Sequence, residues 1–329
     1  PPLKTITFIG MMFNSSNADL KHFFNATKSL TSFLYVAKRL MTHAKELLLY
    51  RRGIQVTSGN ALAARLAKSA LDLGIPILTQ TSARQLLKSA DRVTGVVAQT
   101  EGGELRFEAR HGVVLASGGF SHDLQRLKQA YPHVRRGGEH FSPVPQGNTG
   151  DGARMAEALG GTVDIRLKAP AAWMPVSKVP MGNGRFTAFP HLLDRYKPGG
   201  IGVTRNGQRF TNESNSYHDV GAARSEACAH QTETAMWLIC DRRTMAKYGL
   251  GYAKPAPMPL APLLRNGYLH SGRTLAELAR SAGLDAAGLE QTVRDYNRTA
   301  GQGVDRQFGR GTTSFNRYLA DPQNLPNPC

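Results

Sequence analysis

Gly112-Val113-Val114-Leu115-Ala116-Ser117-Gly118-Gly119-Phe120 and, further on, Gly147-Asn148-Thr149-Gly150-Asp151-Gly152 are the two stretches around which the chain is organised. The first is a continuous apolar run ending in paired glycines. That is the pattern of a buried strand feeding a tight turn where main chain must approach something closely. The second sets glycines around Asn148, Thr149 and Asp151 and then opens a helix expected over residues 153–159, whose first-turn amides are free to meet a polar or anionic group. Ala116, Ser117, Gly118 and Gly119 on one side, with Asn148, Thr149, Gly150 and Asp151 on the other, make an expected cofactor cradle.

Working outward, 329 residues with 41% hydrophobic content suffice for one large core or two smaller ones. No run of about eighteen apolar residues occurs, so no membrane span is expected. The chain opens Pro1-Pro2-Leu3 without an initiator methionine and ends on Pro328-Cys329, and it reads as a piece of a longer polypeptide. Cys228, Cys240 and Cys329 are odd in number and lack metal-ligand spacing, which favours a reducing, cytoplasmic compartment over a disulfide framework. The ten histidines show no His-x-x-x-His grouping, and no metal site is expected. The net charge of +17 raises nucleic acid as a partner, but the basic residues are scattered and never interleave with aromatics as a stacking platform requires, so none is expected.

In chain order, residues 1–15 read as extended or irregular and 18–28 as helix. Over residues 31–52 Phe33, Leu34, Ala37, Leu40, Met41, Ala44, Leu47 and Leu48 recur at helical spacing, opposite Lys38, Arg39, His43, Lys45, Arg51 and Arg52. Such a basic amphipathic helix docks on its own domain or makes peripheral contact with a membrane. A capped helix over 61–73 ends at Gly74 and leads into a strand expected over Ile75–Thr79. Runs over 83–87, 93–99 and 105–109, with turns at Ala90-Asp91-Arg92 and Glu101-Gly102-Gly103, read as an antiparallel meander. Beyond Gly161 the texture turns Pro- and Gly-rich, placing a domain boundary near the 160s. Asn206-Gly207 calls for a type I′ hairpin over 201–211. Helices are expected over 220–229 and 242–248, a strand over 235–240, a capping box at Thr274 and Glu277, and a last helix capped by Asp285.

The two opening stretches resemble the flavoprotein family of fumarate reductase, succinate dehydrogenase and the 3-ketosteroid dehydrogenases, in which an Ala-Thr/Ser-Gly-Gly strand end precedes Gly-Asn-Thr-Gly-Asp-Gly. Gly207-Gln208-Arg209-Phe210-Thr211-Asn212-Glu213 resembles that family's Gly-x-Arg-Phe-x-Asn-Glu signature, in the capping domain that binds substrate. The resemblance implies a mixed α/β and α+β fold. Residues 1–160 would be a partial Rossmann-like FAD-binding domain with its meander, 161–315 a substrate-binding cap, and 316–329 the return segment. It implies FAD as cofactor, with Ser82 or Ala83 near the adenine end. No Gly-x-Gly-x-x-Gly turn for the pyrophosphate occurs in the chain.

Dicarboxylate reductases of this family carry a proton-donating arginine five residues after the asparagine. Tyr217 stands there, and Asn212-Glu213-Ser214-Asn215-Ser216-Tyr217 fits the Asn-Glu-Ser-x-x-Tyr version of the 3-ketosteroid dehydrogenases. An arginine grips a carboxylate with a fork of donors. A tyrosine suits a hydrophobic ring ketone and serves as a base once neighbours lower a pKa of about 10. The implied reaction introduces a C=C bond next to a ring ketone by α-proton abstraction and hydride transfer to flavin, with an external electron acceptor and with carbonyl-polarising donors expected beyond Cys329. Tyr217 is the catalytic candidate; Trp173, His191 and His218 are the pocket candidates, beside Phe186 and Phe189. Arg209 and Glu213 read as an ion pair fixing the loop. An ene-reductase acting on a carboxylate, with Arg195 and Lys197 near its site, and a catalytically incomplete fragment are the alternatives.

Overall fold

The structure, a computed structural model, describes residues 7–8, 11–12, 19, 22–23, 25–27, 29–167, 169–231, 233–326 and 329. It divides into two compact units, Pro1–Thr81 and Ser82–Cys329.

In the first unit the short strands β1 (Thr7–Phe8) and β2 (Met11–Met12) form an antiparallel ladder with Thr7 opposite Met12 and Phe8 opposite Met11. The rest of the extended segment expected over 1–15, and much of the helix expected over 18–28, lie outside the described residues; 19, 22, 23 and 25 are helical. Helix α1 (Leu30–Tyr50) forms as its periodicity requires, but its faces are not divided as expected. Arg39 and His43 are buried, whereas Phe33, Leu34, Met41 and Leu48 are exposed. The buried carboxylate of Asp19 accounts for this: it accepts from the Tyr35 hydroxyl at 2.8 Å and from Arg39 Nε at 3.3 Å. A guanidinium follows a buried carboxylate inward because either one alone is costly. Helix α2 (Ser58–Asp72) closes at Gly74 with Ile75 N–H donating to Ala70 O and Gly74 N–H to Leu71 O, a Schellman ending.

The second unit opens with the meander β3 (Ser82–Ser89), β4 (Arg92–Thr100) and β5 (Gly103–Glu108), in which Ala98 faces both Ala83 and Leu105. Helices α3 (Leu124–Ala130), α4 (Pro132–Arg135) and α5 (Asp151–Glu157) follow. Leu127, Ala130, Tyr131 and Val134 form a core with Trp173. The ribbon β6 (Val176–Gly182) and β7 (Arg185–Pro190) precedes β8 (Gly200–Val203), which pairs across α6 (Tyr217–Ala227) with β9 (Trp237–Cys240). Helices α7 (Arg242–Tyr248), α8 (Ala261–Arg265), α9 (Leu275–Ala282), α10 (Ala286–Ala300) and α11 (Ser314–Tyr318) complete the unit, so the helix capped by Asp285 is not the last. Ile201, Val203 and Ile239 pack on Ala279, Leu289 and Tyr296 as the second core.

Helices and antiparallel sheets thus alternate as the mixed fold class requires. Two expected strands are absent. Ile75–Thr79 and Val113–Ser117 carry no ladder, and Val114 is 89% exposed. A run apolar on both faces becomes a strand only where neighbours pair both its edges, and among the described residues nothing pairs with either segment. The hairpin turn also differs. Gly207 has φ +72° while Asn206 does not enter the left-handed region, and Gly207 N–H donates to Thr204 O as Thr204 N–H does to Gln208 O. This is a type I turn closed by a bulged glycine in place of a type I′ turn.

Candidate active site

The two glycine-bearing stretches come together. Gly150 N–H donates to Gly119 O at 3.1 Å and His122 N–H to Asn148 O at 3.0 Å. Gly118 sits at φ +91°, where a Cβ would lie 2.6 Å from Asn148 Oδ1, so only glycine lets the Asn148 side chain cross the strand end. Thr149 Oγ1 donates to Asp151 Oδ1 at 3.0 Å, and Arg154 ties Asp151 to Asp123. Around this knot Gly119 and Gly147 have open space where a side chain would stand. Ala83 and Asp151 line one cavity of about 420 Å³ between β3 and α5. Of the remaining cradle candidates, Ser117 Oγ faces Gly152, 2.7 Å from where its Cβ would be; Ala116 lies in the extended segment, and Ser82 pairs with Gln99 at the start of β3.

The Asn212–Tyr217 loop is fixed by a buried charge network. Arg209 holds Glu213 at 2.7 and 2.8 Å and Asp305 at 2.9 and 3.0 Å, with its guanidinium over the rings of Tyr296 and Phe308. Arg310, 1% exposed, donates to Ser214 Oγ at 3.0 Å and to the carbonyls of Arg195 and Lys197 at 2.9 and 2.8 Å. Asn316 donates to Ser214 O and accepts from Asn212. Two guanidinium groups against two carboxylates leave the cluster neutral, the condition under which buried ions are tolerated. Burial opposes charge on Arg209, but its bonds to Glu213 and Asp305 outweigh that and hold it above its ordinary value. Burial likewise pushes Asp305 up, yet Arg209 holds its carboxyl below the usual range.

From this frame Ser216 caps α6, its Oγ accepting from Asp219 N–H at 3.1 Å, and Tyr217 begins the helix with its side chain 42% exposed. His218 Nδ1 accepts from Trp173 N–H at 3.2 Å, tying the helix start to the buried tryptophan. Arg195 is turned inward, donating to His191 O, Glu213 O and Asn215 O. Trp173 and His191 line a cavity of about 1060 Å³, with Arg195, Tyr268 and Trp237 also in its wall. His191 Nδ1 lies 2.6 Å from Asp194. Burial opposes ionisation of Asp194, but His191 and the Gly251 amide bring its carboxyl below the usual range. Phe189 stacks edge-on against His191. Tyr217 and His218 are outside this cavity's lining. Sequence reasoning did not single out Asp305, Arg310 and Asn316 as parts of the site. The signal available was the segments Phe308-Gly309-Arg310-Gly311 and Asn316-Arg317-Tyr318, which share the family resemblance.

Comparison with known proteins agrees with this geometry. Residues 18–328 match the family model described as FAD binding domain. The chain is 41% identical over 331 residues to the 4-oxocyclohex-2-ene-1-carboxylate 5-dehydrogenase of Sinomonas cyclohexanicum, covering 100% of this chain and 55% of that protein. It is 34% identical over 284 residues to the 3-oxosteroid 1-dehydrogenase of Mycolicibacterium smegmatis, covering 83% and 48%. The crystal structure of 3-ketosteroid delta1-dehydrogenase from Sterolibacterium denitrificans superposes with a TM-score of 0.79 at 32% identity, over 98% of this chain and 57% of that one. The chain spans about half the length of the relatives it matches. Sequence, fold and the two clustered motifs agree, and the chain belongs to the family described as FAD binding domain.

Proposed function

We propose that this chain forms part of a flavin-dependent dehydrogenase that introduces a C=C bond next to the carbonyl of a hydrophobic ring ketone, with Tyr217 in the proton-abstracting apparatus. The observation that carries the reading is the buried Arg209–Glu213–Asp305–Arg310 network, which fixes the Asn212–Tyr217 loop and leaves the Tyr217 phenol exposed at the start of α6. The relatives are named for substrates that run from a single oxocyclohexene ring to a steroid, and a cavity of about 1060 Å³ suits that range.

The residues fit FAD. Gly119 and Gly147 keep main chain open to a ligand, and Ala83 with Asp151 offers a small cavity beside β3 for the adenine end. FAD, when bound, accepts the hydride lost from the β carbon and hands two electrons to an external acceptor. Tyr217 takes the proton α to the carbonyl, His218 orients the start of α6 through Trp173, and Trp173 with His191 walls the pocket. In this reading residues 1–160 are the partial Rossmann-like FAD domain, 161–315 the cap and 316–329 the return segment. The protein acts in the cytoplasm, and the exposed apolar residues of α1 give it a surface for peripheral membrane contact.

The ene-reductase alternative is disfavoured by two observations. Tyr217 occupies the place of the proton-donating arginine, and Arg195 spends its Nε and one Nη on three backbone carbonyls, leaving only the other Nη without a partner. Turnover of 4-androstenedione, of 4-oxocyclohexanecarboxylate and of fumarate by flavin-loaded protein, with a dye coupled in the appropriate direction, tests the proposal. Oxidation of a ring ketone without fumarate reduction is expected; fumarate reduction alone would overturn it.

A further inference from the structure

The wall of the larger cavity carries a group of basic side chains that the dehydrogenation scheme does not use. His133 Nε2 lies 3.2 Å from His140 Nδ1, and both rings pack around Tyr131, with Trp173 edge-on to His133 at 5.7 Å. Arg224, on α6, lines the same cavity. His133 Nδ1 and Arg224 Nε are buried and meet no hydrogen-bond partner. Among the described residues Arg224 makes no ion pair. The carboxylates in this wall are engaged elsewhere, Glu139 with Lys178 at 3.0 Å, Glu233 with Arg205, and Asp241 with the Thr244 N–H at 2.7 Å.

The electrostatics agree with the geometry. Burial, then the charges of His140, Arg224 and Arg136, lowers His133 to about 4. Burial, then His122 and Arg224, lowers His140, and burial lowers Arg224. A guanidinium removed from water without a carboxylate is strongly unfavourable, and the Arg209 network shows how this fold balances one where no ligand is meant to enter. The wall also carries apolar residues, including both tryptophans, Trp173 and Trp237.

We infer that this cavity binds a ring compound bearing a carboxylate, the carboxylate held by Arg224 and the His133–His140 pair and the ring lying against Trp173. The inference rests on the ring-ketone reading and narrows its substrate to a keto acid. A carboxylate supplies the missing charge and accepts from a guanidinium fork. A metal cation would be repelled by the Arg224 guanidinium.

Both tryptophans of the chain line the cavity, so ligand entry is read by intrinsic fluorescence, without turnover or flavin. The 329-residue chain is titrated separately with 4-oxocyclohexanecarboxylate, cyclohexanone and acetate, and the first is repeated with Arg224→Gln and Arg224→Lys. The keto acid is expected to bind with a Kd at least about tenfold below either single-feature probe, and Arg224→Gln to weaken it about tenfold or more with partial rescue in Arg224→Lys, in line with a charge-assisted hydrogen bond. Equal binding of cyclohexanone, equal binding of acetate, no binding of the keto acid, or unchanged affinity in Arg224→Gln would each overturn the inference. The comparison of the three probes stands even if a variant fails to fold. Failure of the Tyr217 assignment leaves this result untouched, as failure here leaves that assignment.

Discussion

Single side chains in this protein divide into those whose charge is balanced inside and those whose charge is not. Arg209 is the first kind: Arg209→Met leaves Glu213 and Asp305 buried with only Arg310 to answer them, and a loss of about 3–5 kcal/mol is expected in chemical denaturation. Asp305 adds a pH dependence of known sign. Its folded pKa lies below its unfolded value, so its stabilisation is complete above about pH 4 and is lost as pH falls through the folded pKa. His133 works in a different window. Its folded pKa of about 4 lies below an unfolded value near 6.5, so the unfolded chain binds the extra proton between those values and stability falls as pH drops through that range. His133→Asn should flatten the stability profile between about pH 6.5 and 4, by at most about 3 kcal/mol at the acid end; an unchanged profile would contradict the assignment. These roles were invisible in the sequence for a simple reason. Arg209 meets Asp305, and Ser214 meets Arg310 and Asn316, across about a hundred residues of chain, and no local spacing encodes such a contact.

At the level of elements, what the sequence made legible is what local chemistry dictates. Thr274 accepts from Glu277 N–H at 3.1 Å, and Asp285 accepts from Ala287 and Gly288 N–H, as the caps require. The meander has its expected strands because Ala90 and Gly103 bear the positive φ angles its turns need. What failed to read were elements that depend on partners. Val113–Ser117 has the composition of a strand, but among the described residues nothing stands beside it to complete a ladder. The Asn206-Gly207 turn took its type from tertiary packing, since Gly207 lies against α10, where a Cβ would fall 2.3 Å from Leu289 N. Gly207→Ala combines a left-handed φ with a backbone clash and should cost roughly 3 kcal/mol or more by thermal denaturation, well above the ~1 kcal/mol of an exposed glycine replacement.

Across the whole molecule, the surface tells of function as much as the interior does. Each unit carries an extended apolar segment facing solvent: Ile75, Ile77 and Leu78 in the first, Val114 and Leu115 in the second. Exposed apolar patches of this kind mark surfaces built to be covered. A hydrophobic-surface dye should therefore bind the chain, and Val114→Lys should reduce the signal while changing stability by no more than about 0.5 kcal/mol. The Gly118–Asn148 knot and the Asn212–Tyr217 loop are both legible in the sequence because each is a compact motif. Their union into one catalytic centre is the claim on which the dehydrogenase reading depends. The most direct measurement is kcat of flavin-loaded Tyr217→Phe on a ring ketone, at unchanged flavin absorbance and melting temperature. A loss of about 10²–10⁴-fold is expected if the phenol takes part in proton abstraction; turnover equal to the unsubstituted protein would contradict it.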